Sequence, residues 1–438
     1  MYDSLLITDC LLLQESQGPL LPSAYILCEN GKISSIGPMT ELRRPLNMKE
    51  INGCGQLALP GLINGHNHCA MTLFRGLADD LELGTWLNDH IFPAEAAHVN
   101  ADMVYWCSKL AAAEMLLSGT TTVADAYFFE DAAIRAFADS GMRAVAAHGV
   151  IDFPAPGVPD PTKNIWTAAQ FIDRHLGTNP LITPAVFAHS PYTCSNNTLQ
   201  EAKKLANDQG VPFFIHAAET RHEQGLIATP LGDSPIRHLA ALNLLDQNTI
   251  LVHCVWLDDA DLQLIAKSGA KIVACPQSNQ KLASGSPRIS EMLALGIQVG
   301  LGTDGCASNN SLDLFREMDI LAKGQKVRTL SATALTARQA LACTTSQGAA
   351  VLGQPNLGRL SPGSPADLIM INLKHPHLQP FYSQDTLVYS ASGADITNVI
   401  INGRLVVHKR QIISFDLQEC LRQVRTLAKL LSPSKAEL

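Results

Sequence analysis

The stretch Leu59–His68, LPGLINGHNH, ends an apolar run in two histidines separated by one residue, His66 and His68. Side chains alternate faces along a strand, so positions i and i+2 point the same way. Two imidazoles on one face at a strand end are set to grip a single metal ion. Neutral imidazole suits zinc or iron, and a catalytic site adds one or two further ligands while keeping a position open. The competing reading is an ordinary polar strand-to-loop junction. The chain carries its own control in His375-Pro376-His377, where the same spacing sits among prolines. Proline cannot donate to a sheet ladder, so this second pair reads as a structural surface loop. Spacing alone does not separate the two pairs. Ligand partners at other strand ends do.

The elements that must position such partners follow from the texture of the chain. From about Leu57 to Leu360, strand and helix patterns alternate. Candidate strands are Leu57–Asn64, Thr121–Ala126, Ala144–Val150, Ile182–His189, Phe213–Ala218, Ile250–Val255, Lys271–Ala274 and Val299–Thr303. Helical patterns fall between most of them, as at Val104–Leu117, Asn196–Asp208, Asp258–Lys267 and Ile289–Leu295. Buried-type strands alternating with helices fit an α/β fold, a (β/α)8 TIM-type barrel. The rival, an open doubly wound sheet, lacks its G-x-G-x-x-G after the first strand, and there is no P-loop.

β-rich pieces flank the barrel. Leu5–Leu13, Ala24–Leu27 and Ile33–Ile36 form a meander around the turn Glu29-Asn30-Gly31-Lys32. Ala366–Ile371 is a strand, and Val399–Val407 is two short strands around Asn402-Gly403. Apolar positions recur at helical spacing over about Leu417–Leu431. The economical division is a small composite β-sandwich domain from 1–56 and 363–415, a catalytic barrel over 57–362, and a C-terminal helix over 416–438.

In such a barrel, chemistry sits at the C-terminal ends of the strands. The first ends in His66 and His68, the third near His148, and the fourth at His189 in AHSPYTCS. The fifth, FFIHAAET, brings His216 and Glu219; the sixth, LVHC, brings His253; the eighth, LGTDG, brings Asp304. The chain holds only 14 histidines, so this recurrence favours the metal reading over the junction reading.

Composition narrows the class. Apolar content of 46% and charge of 16% fit a globular chain with a large core, not a disordered one. A net charge of −8 gives no support for nucleic acid or an anionic membrane as partner. The 11 cysteines are scattered without a C-x-x-C, as expected for reduced thiols in a cytoplasmic protein. No apolar run reaches the length of a membrane helix, and MYDSLLITDCLLLQ lacks the features of a secretion signal.

The motifs PGLINGHNHCAMTLFRGLADDLELGTWLNDHIFPAE, HSPYTCS, HAAET, LVHC, CPQSNQKLASG and LGTDGCASNNSLDLF, in this order, resemble the amidohydrolase superfamily. The likeness covers nearly the whole chain and is closest to the aminohydrolases that deaminate 5′-methylthioadenosine and S-adenosylhomocysteine. It implies that His66, His68, His216 and Asp304 bind one divalent metal, zinc first, with iron or manganese tolerated by similar ligands. It also implies Glu219 as acid/base group and His253 beside the attacking hydroxide or the developing tetrahedral centre. Glu95 would hold the ribose hydroxyls, His189 would line the pocket, and Trp86 would cover the base. Glu219 and Asp304 would face both metal water and substrate. A small-molecule nucleoside substrate and a homodimer or homotetramer complete the implication.

Plainer readings stand beside these roles. Glu219 could cap a helix, His253 and Trp86 could be core residues, and Glu95 could be a solvated helix residue. Ser308, Asn309, Asn310 and Ser311 read as N-capping chemistry for the following helix. One departure concerns specificity. Some relatives have an arginine where Ala147-His148-Gly149 stands, at the distal end of the substrate, and His148 stands there as a substrate-binding candidate. Methylthioadenosine or adenosine is therefore expected to be favoured over S-adenosylhomocysteine. Rival readings are an aminohydrolase of guanine-type bases, cytosine, pterins or triazines, and a barrel scaffold without catalysis. A binuclear dihydroorotase-like enzyme would need a lysine where VFAHS supplies histidine.

Overall fold

In the computed structural model, which describes residues 4–45 and 48–431, the alternating pattern becomes eight parallel strands in sequential order. They are Leu62–Asn67, Thr120–Tyr127, Arg143–Val150, Ile182–Ala188, Phe213–Ala217, Thr249–His253, Lys271–Ala274 and Val299–Leu301. The last strand returns to the first: Asp304 N donates to His66 O at 3.1 Å, and Thr303 N to Asn64 Oδ1 at 3.1 Å. Alternation along each strand sorts the side chains. Val145, Ala147, Ala185, Phe187, Phe214 and Val252 fill the barrel interior, while Ala144, Ala146, Val186, Ile215 and Leu251 join the helix layer outside. The helix Ser346–Val351 seals the N-terminal end, with Ala349 and Val351 in the interior cluster and Gln354 bonded to Thr183.

The strand expected over Leu57–Asn64 divides in two. Gln56–Pro60 runs antiparallel to Leu368–Asn372 in the small sheet, and only Leu62–Asn67 belongs to the barrel. Gly61 allows the crossing, since a Cβ there would lie 2.1 Å from Thr121 Oγ1. Residues 57–60, read as the head of the barrel, thus belong to the neighbouring sheet.

Strands from both ends of the chain build that neighbour, a nine-stranded mixed sheet. It runs from Gln411–Ile412 through Arg404–His408, Ile396–Ile401, Leu368–Asn372 and Gln56–Pro60 to Leu5–Leu13, Leu20–Glu29 and Lys32–Pro38, with Lys49–Asn52 beside Leu5–Leu13. Ile7, Leu12, Ile26, Leu368, Met370 and Ile400 form its core. Both Asn-Gly turns are left-handed, with φ of 51° and 79° at Asn30-Gly31 and 50° and 73° at Asn402-Gly403. Such turns match the right-handed twist of the flanking strands.

A buried fork joins the two units. Arg143, at the start of the third barrel strand, donates to Asp367 through Nε at 2.8 Å and Nη2 at 3.2 Å, and Asn402 N donates to Asp367 Oδ1 at 2.7 Å. Losing either partner would strand a buried charge, which typically costs about 3–5 kcal/mol. The helix Leu417–Leu431 follows the sheet, with Cys420 Sγ donating to Trp106 O on the helix Ala101–Leu117. The expected helical residues 432–438 lie outside the described residues. All 11 cysteines are free thiols, and no described helix is long and apolar enough to cross a membrane.

Candidate active site

Three imidazoles converge where the barrel strands end. Ligand atoms of His66, His68 and His216 all lie within 4.8 Å of one another, with His66 Nε2 and His216 Nε2 3.2 Å apart. Asp304 Oδ1 lies 3.5 Å from His66 Nε2 and 3.4 Å from His68 Nε2. His68 is oriented by Ala126 O, 2.5 Å from its Nδ1, which leaves Nε2 for the centre. Asp304 is fixed by three donors: Ser278 Oγ at 2.7 Å, Ser308 Oγ at 3.0 Å and Gly305 N at 2.9 Å.

Burial sets the charge states. It lowers His66 to about 4, and it holds His216 well below its ordinary range, helped by the neighbouring imidazoles. Burial pushes Asp304 towards its neutral form, yet the His66 hydrogen bond and the charges of His68 and His253 hold its carboxyl well below the usual range. Neutral imidazoles at His66 and His216 beside an ionised carboxylate suit a borderline divalent cation such as zinc. The donor set therefore fits the metal that the motifs imply.

Glu219 and His253 face this cluster without belonging to it. His253 Nε2 is 3.8 Å from Glu219 Oε2, and His253 Nδ1 donates to Asn279 Oδ1 at 2.9 Å. Burial works against the charged form of His253, but the carboxylates of Glu219 and Asp304 raise it above its ordinary value. Burial raises Glu219 against the pull of His253, which favours a protonated carboxyl. Glu223 ties the turn down by accepting from Ala218 N at 2.9 Å and Glu219 N at 2.8 Å. Simple alternation would send His253 outward after Leu251. Left-handed φ values of 74° at His253 and 59° at Asp304 break the alternation at these strand ends.

A cavity of about 480 Å³ opens above the cluster. Glu95, on the helix Phe92–His98, reaches into it and accepts from Tyr127 Oη at 2.6 Å. Burial lifts Glu95 to about 7, against the hydrogen bond from Tyr127. Trp86 and His189 line the same cavity, Trp86 being buried and His189 held by Thr193 Oγ1 at 2.9 Å. Leu83, Leu87, Phe92, Phe153, Pro154 and Pro156 supply an apolar wall, and among the described residues no lysine or arginine lines the cavity.

Two expectations fail here. His148 does not line the cavity; its ring stacks on Phe171 of the helix Asn164–His175, with centroids 5.7 Å apart. Val145 and Ala147 point inward, so the next position points out, and it is Gly149 and Val150 of that strand that line the cavity. The Ser308–Ser311 segment does not cap the following helix either. Asp313 accepts from Phe315 N and caps Leu314–Thr329, while Ser308 holds Asp304 and Asn309 bonds to Thr303 O and Glu317. Ser278, Asn279, Glu223 and Tyr127 carry positioning contacts that no motif argument assigned. The stretch CPQSNQK signals the first two by its polar residues at a strand end.

The chain matches the model of the Amidohydrolase family over residues 57–406. It is 42% identical to "5-methylthioadenosine/S-adenosylhomocysteine deaminase 1" of Syntrophus aciditrophicus, covering 99% of each chain. It is 37% identical to "5'-deoxyadenosine deaminase" of Methanopyrus kandleri, over 94% of this chain and 96% of the relative. An adenosine deaminase of Xanthomonas campestris, solved with bound zinc, superposes with a TM-score of 0.94 at 32% identity over 98% of both chains. With the converging imidazoles, the facing carboxylates and a family match over most of its length, the chain belongs to the metal-dependent amidohydrolase family.

Proposed function

We propose that this protein deaminates an adenine nucleoside by hydrolysis, and that 5′-methylthioadenosine or 5′-deoxyadenosine is a better substrate than S-adenosylhomocysteine. The observation that carries the substrate class is Glu95, a buried carboxylate in the cavity lining whose neighbours there, Trp86, Leu87, Ile91 and Phe92, are mostly apolar. Vicinal ribose hydroxyls are its natural partners, since an ionised carboxylate accepts from both at once. The apolar wall and the lack of any cation in the lining disfavour the zwitterionic tail of S-adenosylhomocysteine.

Zinc held by His66, His68, His216 and Asp304 would supply the Lewis acidity that makes a water nucleophilic near neutral pH. Asp304 accepts a proton from the water that attacks C6, because its second oxygen is anchored by Ser278 and Ser308. Protonated Glu219 donates to purine N1 as the C6–O bond forms, so the ring nitrogen takes the electron pair and the proton together. His253, held by Asn279, donates from Nε2 to the attacking oxygen as that oxygen loses its proton to Asp304. Asp304 passes the water's proton to the amino group, ammonia leaves with the C6–N electron pair, and the C6 hydroxyl gives its proton back to Glu219, leaving the 6-oxo nucleoside. Trp86 and His189 exclude bulk water beside the base.

Ammonia release from 5′-methylthioadenosine, 5′-deoxyadenosine, adenosine, S-adenosylhomocysteine, guanine, cytosine and a pterin, each as kcat/KM on zinc-loaded protein, tests this reading. Turnover of free bases without adenine nucleosides would refute the substrate class. A preference for S-adenosylhomocysteine would refute the specificity.

A further inference from the structure

Among the described residues, two groups bring three metal-binding side chains within 4.8 Å of one another, and only one is the catalytic cluster. The other is His375, His377 and Asp395. We propose that these three form a second, surface zinc site that pins the loop after Leu368–Asn372 to the start of the adjacent strand Ile396–Ile401.

The sheet brings the residues together. Leu368–Asn372 and Ile396–Ile401 are antiparallel neighbours, so the loop leaving the first lies beside the turn entering the second. His375 Nδ1 lies 2.5 Å from Asp395 Oδ1, and His377 Nε2 lies 3.0 Å from both Asp395 oxygens. Pro376 stiffens the segment between the histidines, whose rings sit 5.6 Å apart. Asp395 is oriented in its turn, with Oδ2 also accepting from Ser392 N at 2.8 Å. A metal-ligating carboxylate held this way by a further hydrogen bond is the arrangement that tunes metal sites. Arg410, the nearby cation, donates to Gly393 O and Ile396 O and leaves the carboxylate to the histidines.

Two imidazoles and one carboxylate, with the remaining positions open to water, suit zinc better than calcium or magnesium, which prefer all-oxygen shells. The carboxylate is 1% exposed, whereas the His375 and His377 side chains are 38% and 50% exposed. An ion can therefore enter from solvent and leave again, so the site binds more weakly than the buried one.

Equilibrium dialysis of the zinc-loaded enzyme against micromolar zinc, with metal analysis and a deamination assay on the same sample, tests the proposal. The wild type should take up a second equivalent of zinc per chain. His377→Gln and the pair His375→Gln/His377→Gln should hold only the first, with unchanged kcat/KM. Added zinc should raise the Tm of the wild type and not that of either variant. A wild type that stays at one equivalent, or variants that still bind the second, would overturn the site. Loss of activity in both variants would overturn its independence from the catalytic centre.

Discussion

The two His-x-His pairs share a spacing and an aspartate partner, yet they sit in opposite physical settings. His66 is 1% exposed at the end of a barrel strand, while the His377 side chain is 50% exposed on a turn of the small sheet domain. The buried pair gains a third imidazole, a neighbouring acid and base, and a cavity that can hold a substrate. Among the described residues, the surface pair gains only Asp395. Spacing decides which atoms can converge on an ion. Burial decides whether that ion can act on anything, because a dry site strengthens electrostatic interactions and keeps bulk water from competing.

The largest effect expected from this contrast is metal removal. Chelation should abolish deamination, and added zinc should restore it, whatever the state of the surface cluster. Restoration by magnesium alone would break the contrast, because the nitrogen-rich donor set disfavours it. Glu219→Gln should retain the catalytic zinc and lose roughly 10²- to 10⁴-fold in kcat/KM, as for loss of a general acid/base. Near-wild-type turnover would remove Glu219 from the mechanism.

Glu95→Gln should raise KM for nucleosides by roughly 10- to 100-fold, matching about 1.5–3 kcal/mol for hydrogen bonds to a charged group. Burial raises Glu95 to about 7, so its carboxylate form fills only as pH rises through that value. KM should therefore fall from pH 6 to pH 8 in the wild type and stay flat in the variant. A flat profile in both would show that Glu95 does not meet the ribose as a carboxylate. His148→Leu should leave kcat/KM and the order of substrates unchanged, since His148 faces Phe171. Its Nε2 is buried without a partner, so stability should stay level or rise by up to about 1 kcal/mol on chemical denaturation. A changed substrate order would return this residue to the pocket. Smallest of all, His377→Gln without added zinc should shift stability by no more than about 0.5 kcal/mol, as at most surface positions.

Much of the architecture was legible because strands buried on both faces must be apolar between their ends, as at residues 250–252 or 213–215. The histidines and acids of the candidate site were legible because barrel chemistry gathers at strand ends. What escaped has specific causes. Gly61 ends one strand and frees the next, but a continuous apolar run hides the crossing until Thr121 is seen beside it. His148 sits at a strand end like the ligands, yet pleat alternation turns it outward. Ser308 has the residue type of a helix cap, and the nearness of Asp304 and Ser278 gives it other partners.

By itself, the sequence determined the donor types, the strand and helix periods, and the identity of the cavity residues Trp86 and Glu95. These depend on side-chain chemistry and on spacings of a few residues. Tertiary structure alone decided which polar groups meet: Asn64 with Thr303, 239 residues apart, Asn279 with His253, and Asp395 with the surface histidines. Closing the barrel and pairing the terminal strands create those neighbours, and no local period in the chain encodes them.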